Sequence, residues 1–87
     1  MSKLVTIRYF AWLRERIGAS HEEIALPDGV TTVSGLLDHL VSHGGRHEAA
    51  FQNRRTVRIA VNQEFADLSG PVRPGDEVAF FPPVTGG

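Results

Sequence analysis

The run TTVSGLLDHLVS, residues 31–42, decides the fold because it carries the clearest helical pattern in the chain. Thr31 and Thr32 are suitable N-caps, and the glycine pair at positions 44 and 45 ends the helix. The apolar residues between them recur at the three- and four-residue spacing of one helix face: Val33, Leu36, Leu37, Leu40 and Val41. Such a helix has to bury that face against a second layer of structure.

The segments on either side of this helix supply that layer as strands. Apolar and polar residues alternate over residues 4–11, 22–26, 57–61 and 77–81, which is the pattern of half-buried strands. A short helical turn at 12–18 separates the first two strands, and we expect these strands to form a hairpin. Residues 46–52 predict a further irregular turn of helix, and Pro74 and Gly75 predict a type II turn. The inward strand residues are then Val5, Ile7, Tyr9, Val78 and Phe80.

Together these elements predict an α+β fold in which a mixed sheet packs on one main helix. The order β-β-α-β-β is compatible with a β-grasp, but periodicity does not distinguish it from other small α+β topologies. The outward strand residues include Phe10, Ala60, Ala79 and Phe81. If their strands are neighbours, these residues form an apolar patch beside the chain end, and Phe65 extends it. We interpret this patch as a docking face.

Composition limits the functions open to the chain. Its 87 residues leave room for one domain. The formal net charge of −1 gives no electrostatic reason to expect nucleic acid or an anionic membrane as a partner. The absence of cysteine excludes a disulfide, a thiolate metal site and a cysteine nucleophile. With neither a signal peptide nor a membrane span in the sequence, we expect a cytoplasmic location.

Candidate metal and catalytic residues are few. His39, His43 and His47 recur every four residues, a spacing that lets two helical histidines share a zinc ion. The glycine pair separates the third histidine from the helix, and no acidic ligand completes the set, so we expect no metal site. No serine or threonine lies in a nucleophile elbow, and no glycine-rich loop opens a helix to cradle phosphate. We therefore do not expect independent catalysis.

The last residues, FFPPVTGG at positions 80–87, form a projecting arm in this interpretation. Two adjacent prolines cannot donate ladder hydrogen bonds, so the sheet has to stop there. From Pro82 to Gly87 the arm spans at most about 20 Å, enough to enter a cleft in another protein. Glycine at the tip leaves the terminal carboxylate unshielded. The sequence thus divides into a domain at 1–81 and an extended tail at 82–87, although an ordinary frayed terminus would also end this way.

Residues 76–87, DEVAFFPPVTGG, resemble the C-terminus of the small subunit of molybdopterin synthase, a family of ubiquitin-like sulfur carriers. Further matches lie at residues 9–18, 60–63 and 73–76, whereas residues 21–56 match only in pattern. The resemblance implies a ubiquitin-like β-grasp. It also implies that a ubiquitin-activating-like adenylyltransferase uses ATP to adenylate Gly87, after which a thiocarboxylate forms and donates sulfur to cyclic pyranopterin monophosphate.

The same resemblance assigns roles to other residues and to partners. It implies that Phe10, Phe65 and Phe81 belong to the apolar surface that meets the large subunit of molybdopterin synthase and the activating enzyme. The large subunit would supply the catalytic groups within a heterotetramer. The chain would then be no enzyme alone and would hold no cofactor. A carrier for thiamine or cysteine biosynthesis, or a ubiquitin-like protein modifier, remains an alternative. The tail that enters the partner comprises Pro82, Pro83, Val84, Thr85, Gly86 and Gly87.

Overall fold

The computed structural model describes residues 3–83. Its elements follow in chain order: β1 Leu4–Tyr9, α1 Trp12–Ile17, β2 His21–Ala25, α2 Val33–Ser42, α3 Gly45–Ala50, a 3₁₀ turn Arg54–Thr56, β3 Arg58–Val61, β4 Glu64–Ala66 and β5 Glu77–Phe81. In this part of the chain, no helix has the length and apolar character that crossing a membrane requires.

The strands form one mixed sheet in the order β2-β1-β5-β3-β4. The central pair, β1 and β5, runs parallel, and the other three pairs run antiparallel. The predicted hairpin of β1 and β2 is confirmed. A parallel central pair requires a long crossover, and here the crossover contains α2, which covers one face of the sheet. The predicted α+β arrangement, a mixed sheet on one main helix, is therefore present.

The core lies between α2 and the sheet. Thr32 caps α2, because its side-chain oxygen accepts a hydrogen bond from the Gly35 amide at 3.2 Å. The predicted apolar face is buried except for Val41, which is only partly covered at the edge of the stripe. Residues with no accessible surface come from the sheet, from α2 and from α1: Val5, Ile7, Leu13, Val33, Leu36, Leu37, Leu40, Val78 and Phe80.

The segment after α2 is more regular than the sequence indicates. We predicted an irregular turn over residues 46–52, and the structure has an α-helix at Gly45–Ala50, α3. Gly44 and Gly45 both have positive φ, 71° and 56°, so the pair reverses the chain between two helices. α3 then packs against α1, where the Arg46 guanidinium occupies the space beside Gly18. This packing is a tertiary contact that local periodicity does not report.

A polar network that the sequence analysis missed joins β1, β2 and α3. The Tyr9 hydroxyl donates to the Glu22 carboxylate at 2.6 Å, and His47 Nε2 approaches the same oxygen at 2.6 Å. Burial, together with the Glu22 carboxylate, raises the pKa of Tyr9 far above its ordinary value. Burial by itself would raise the pKa of Glu22, but the hydrogen bonds from Tyr9 and His47 outweigh it and lower that pKa.

This network makes the stability of the fold depend on pH in the acid range. Because the pKa of Glu22 is lower in the folded chain than its ordinary 4.5, the unfolded chain binds more protons below that value. The stability that Glu22 contributes is therefore present above about pH 4.5 and is lost as the pH falls through the folded-state pKa. We expect Glu22→Gln to cost about 1–3 kcal/mol near neutral pH, and less in acid.

Denaturant unfolding at several pH values measures this effect. Glu23→Gln is the matched control, since Glu23 is exposed on the same strand, and it should leave the free energy of unfolding nearly unchanged. A cost for Glu22→Gln that stayed constant between neutral and acid pH would contradict the proposed linkage.

Candidate docking face and tail exit

The sheet face turned away from α2 owes its composition to strand alternation. On β5, Val78 and Phe80 are fully buried, so Ala79 and Phe81 lie on the opposite face. Ala79 pairs with Ala60 of β3, which brings small side chains together across neighbouring strands. The result is a shallow apolar floor.

Phenylalanines border this floor. Phe10 follows β1, where its amide donates to the Phe80 carbonyl at 3.1 Å, and 45% of its surface is exposed. Phe65 lies on β4 opposite Ala60 and is 85% exposed. The Phe65 and Phe81 rings lie 5.9 Å apart between centroids. The structure thus places all three predicted docking residues on one face, where an aromatic side chain as exposed as Phe65 is typical of a protein contact surface.

A concavity with a volume of about 690 Å³ lies within this face. Arg8 and Glu77 contribute its charged groups, and their side chains form an ion pair at 3.2 Å. The pair leaves the floor without net charge. The complete lining is Arg8, Phe10, Ala60, Gln63, Glu77, Ala79, Phe81 and Pro82.

The tail begins at the rim of this concavity. β5 ends at Phe81, Pro82 lines the concavity, and Pro83 is half-buried just beyond it. The remaining predicted tail residues, Val84, Thr85, Gly86 and Gly87, lie outside the described residues. The division into a domain at 1–81 and a tail at 82–87 stays a prediction, but the exit of the chain and the docking face adjoin.

A strained hairpin joins β3 to β4 at the other end of the concavity. Asn62 and Gln63 form its two-residue loop and both have positive φ, 51° and 70°. The Asn62 side chain donates to Asp76 at 3.0 Å and accepts from the Glu77 amide at 3.0 Å, so it ties the loop to the start of β5. Asparagine tolerates this backbone conformation, whereas glutamine is strained in it. From the sequence alone, residues 63–72 predict a turn with a short strand at most, and the structure has β4, Glu64–Ala66, within that range.

We therefore expect Gln63→Gly to stabilise the chain by roughly 1 kcal/mol, because glycine adopts the left-handed conformation without strain. Denaturant unfolding measures the change. Gln63→Ala is the control, since alanine removes the polar side chain but keeps the Cβ that strains the backbone. Equal stability of the two variants would show that backbone strain at position 63 is not the cause.

The histidines do not form a metal site among residues 3–83. The rings of His39, His43 and His47 meet edge to face, with centroids 4.7 Å apart for His39 and His43 and 5.7 Å apart for His43 and His47. His47 Nε2 is already engaged by Glu22. In this part of the chain no group of three or more ligand-type side chains is arranged to hold a metal ion.

Comparison with known proteins identifies the family. The sequence profile of the ThiS family matches residues 7–87, which is nearly the whole chain. The chain belongs to the ThiS family. A similar protein, the molybdopterin synthase sulfur carrier subunit of Haemophilus influenzae, is 37% identical over 84 residues, which cover 97% of this chain and all of that protein. The resemblance to the small subunit of molybdopterin synthase is thereby confirmed.

Solved structures of similar chains support the fold. A putative molybdopterin converting factor subunit 1 from Pyrococcus furiosus superposes with a TM-score of 0.77 at 33% identity, covering 95% of this chain and all of that one. Small archaeal modifier protein 1 of Haloferax volcanii gives 0.74 at 29% identity over 95% of this chain and all of that one. The ubiquitin-like β-grasp is therefore confirmed for this member of the ThiS family.

A third solved structure is a complex. It contains subunits 1 and 2 of the molybdopterin-converting factor from Helicobacter pylori, and one of its chains matches with a TM-score of 0.62 at 25% identity, over 97% of this chain and 99% of that one. A chain of this ThiS-family fold thus binds a second, different subunit in that organism.

Proposed function

We propose that this chain is the sulfur-carrying small subunit of molybdopterin synthase. The observation that carries the proposal is its full-length similarity to proteins named as that subunit. In this proposal Gly87 is the reacting residue, and its carboxylate becomes a thiocarboxylate that donates sulfur to cyclic pyranopterin monophosphate. The apolar face bordered by Phe10, Phe65 and Phe81 lies where the tail leaves the domain, as a carrier that docks before it delivers sulfur requires.

The chemistry explains why the chain end has to be activated. A carboxylate is a poor acyl donor because its charge is delocalised and oxide is a poor leaving group. Adenylation by ATP releases pyrophosphate and converts the leaving group to AMP, which a sulfur donor then displaces. The chain has no cysteine, so in this scheme the sulfur is carried on the terminal carbon of Gly87. ATP is consumed by the activating enzyme and is not bound here as a cofactor.

Two partners follow from this scheme. One is an adenylyltransferase of the ubiquitin-activating type. The other is the large subunit of molybdopterin synthase, which supplies the catalytic groups in a cytoplasmic heterotetramer, so that the chain is not an enzyme by itself. The Helicobacter pylori complex of subunits 1 and 2 supports a large-subunit partner.

A second candidate function is protein modification. It is favoured by the structural similarity to small archaeal modifier protein 1 of Haloferax volcanii. In that case the activated Gly87 carbonyl would form an isopeptide bond with a lysine of a target protein, and sulfur would not be incorporated. The docking face and the tail would be used in both functions, so the product of the reaction has to distinguish them.

Intact mass spectrometry tests the proposal. The full chain is incubated with its activating enzyme, ATP and a sulfur donor, and is then mixed with the large subunit and cyclic pyranopterin monophosphate. We expect the mass change of one oxygen replaced by sulfur, followed by its reversal when substrate is added. A protein adduct in place of the thiocarboxylate would establish the modifier function, and a thiocarboxylate that the large subunit does not consume would indicate thiamine or cysteine biosynthesis.

A further inference from the structure

Two arginines lie beside the exit of the tail. Strands β3 and β5 run antiparallel with Arg58 opposite Phe81, so β3 begins where β5 ends. Arg58 alternates with the buried Ile59 and therefore lies on the same face as Phe81. Arg55 precedes it in the 3₁₀ turn, and an Arg58 guanidinium nitrogen lies 3.5 Å from the Arg55 carbonyl oxygen. Both side chains are exposed at the point from which Pro82 and Pro83 continue.

Neither arginine has an acidic partner among residues 3–83, which sets the pair apart from its neighbours. Arg8, on the other side of β5, is neutralised by Glu77, and Arg54 binds Asp38. Asp67 lines the same depression as Arg55 and Arg58. Its carboxylate instead accepts two hydrogen bonds from Ser69, at 3.0 and 2.6 Å. The result is two adjacent, uncompensated positive charges in a chain whose formal net charge is −1.

We infer that Arg55 and Arg58 bind carboxylates that the large subunit presents at the mouth of the cleft receiving the tail. This inference rests on the proposed function. Arg58 adjoins the apolar docking face because it lies opposite Phe81, and Arg55 lines the same depression as Arg58, so a partner seated on the face reaches both. They lie at the base of the predicted arm, which can span up to about 20 Å, so we assign them to docking and not to contact with the substrate at its tip. Guanidinium groups at the rim of an interface select carboxylates and accelerate association.

Affinity for the purified cognate large subunit tests the inference, measured with the full chain at low and high salt. An exposed ion pair contributes up to about 1 kcal/mol, so Arg58→Gln should weaken binding about two- to fivefold at low salt, and adding Arg55→Gln should weaken it further. Arg58→Glu should weaken it more than Arg58→Gln. Each loss should shrink as salt increases, because salt screens exposed charges.

Arg46→Gln is the matched control. It removes the same charge from α3, on the helical side of the sheet, and should leave affinity unchanged. Wild-type affinity of Arg58→Glu at low salt would overturn the inference, as would a loss that does not vary with salt. So would variants that bind the large subunit normally but are adenylated slowly, since the pair would then serve the activating enzyme. Failure of the unmodified chain to bind the large subunit would instead overturn the proposed function.

Discussion

Removing Gly87, or adding one residue after it, will abolish sulfur transfer by the chain and leave its fold intact. Either change moves the terminal carboxylate by about 3.3 Å along the arm, the rise of one extended residue. Since a misplacement of about 1 Å can reduce the rate of a positioned reaction about 100-fold, neither variant should place its sulfur correctly. The fold should survive because β5 ends at Phe81, well before the changed position.

The measurement combines three readouts: thiocarboxylate formation by intact mass, consumption of cyclic pyranopterin monophosphate, and the melting temperature. Both variants should melt as the unmodified chain does and should still bind the large subunit, because the docking face is unchanged. Glu48→Gln, an exposed change on α3, is the control that should retain transfer. Transfer at the normal rate by either tail variant would remove the case for Gly87 as the reacting residue.

Most of the fold could be predicted because the apolar pattern of each element shows which of its faces is buried. The three- and four-residue spacing in α2 and the alternation in β1 and β5 reflect one apolar face each, and the structure buries those faces. The type II turn at Pro74 and Gly75 follows from local chemistry in the same way. Gly75 has a φ of 92°, and the Asp76 amide donates to the Arg73 carbonyl. The choice of a β-grasp over other topologies depended on the resemblance.

The features that could not be predicted depend on contacts between distant segments. Glu22 and His47 are separated by 25 positions and show no shared pattern, yet they meet over Tyr9. The regular helix α3 is short and weakly amphipathic, and it is held by packing on α1 and α2. The hairpin at Gln63 lacks the glycine that usually marks a two-residue loop, so its tight geometry gave no sequence signal.

Part of the candidate site could be predicted from the sequence, and part could not. Phe10 and Phe81 could be assigned to the outer face because strand alternation fixes direction, and their clustering followed once β5 lay between β1 and β3. The charged rim could not be predicted. The sequence shows that Arg55 and Arg58 are close together, but only the tertiary structure shows that Arg54 and Arg8 are neutralised while these two are not.

Phe80 and Phe81 should separate stability from binding, because neighbouring strand residues point to opposite faces. Phe80 has no exposed surface, and its ring packs on Tyr9 and Phe51 with centroids 6.3 and 5.1 Å away. We expect Phe80→Ala to cost about 3–5 kcal/mol of unfolding free energy. Phe81 is half-buried and packs on the exposed Phe65, so Phe81→Ala should cost only about 1 kcal/mol of stability. Its affinity for the large subunit should fall by more than about 1 kcal/mol.

The melting temperature and the affinity for the large subunit, measured for each variant, test this prediction. The two variants are matched because both positions carry phenylalanine in the unmodified chain. The reverse result would require β5 to be shifted by one residue, which would turn Glu77 toward the core and away from Arg8. Burying a carboxylate without its partner is costly, so the sequence itself disfavours that register. Unchanged affinity of Phe81→Ala would leave the stability result intact but would remove Phe81 from the docking face. The case for contact beside the tail would then depend on Phe10 and Phe65 alone.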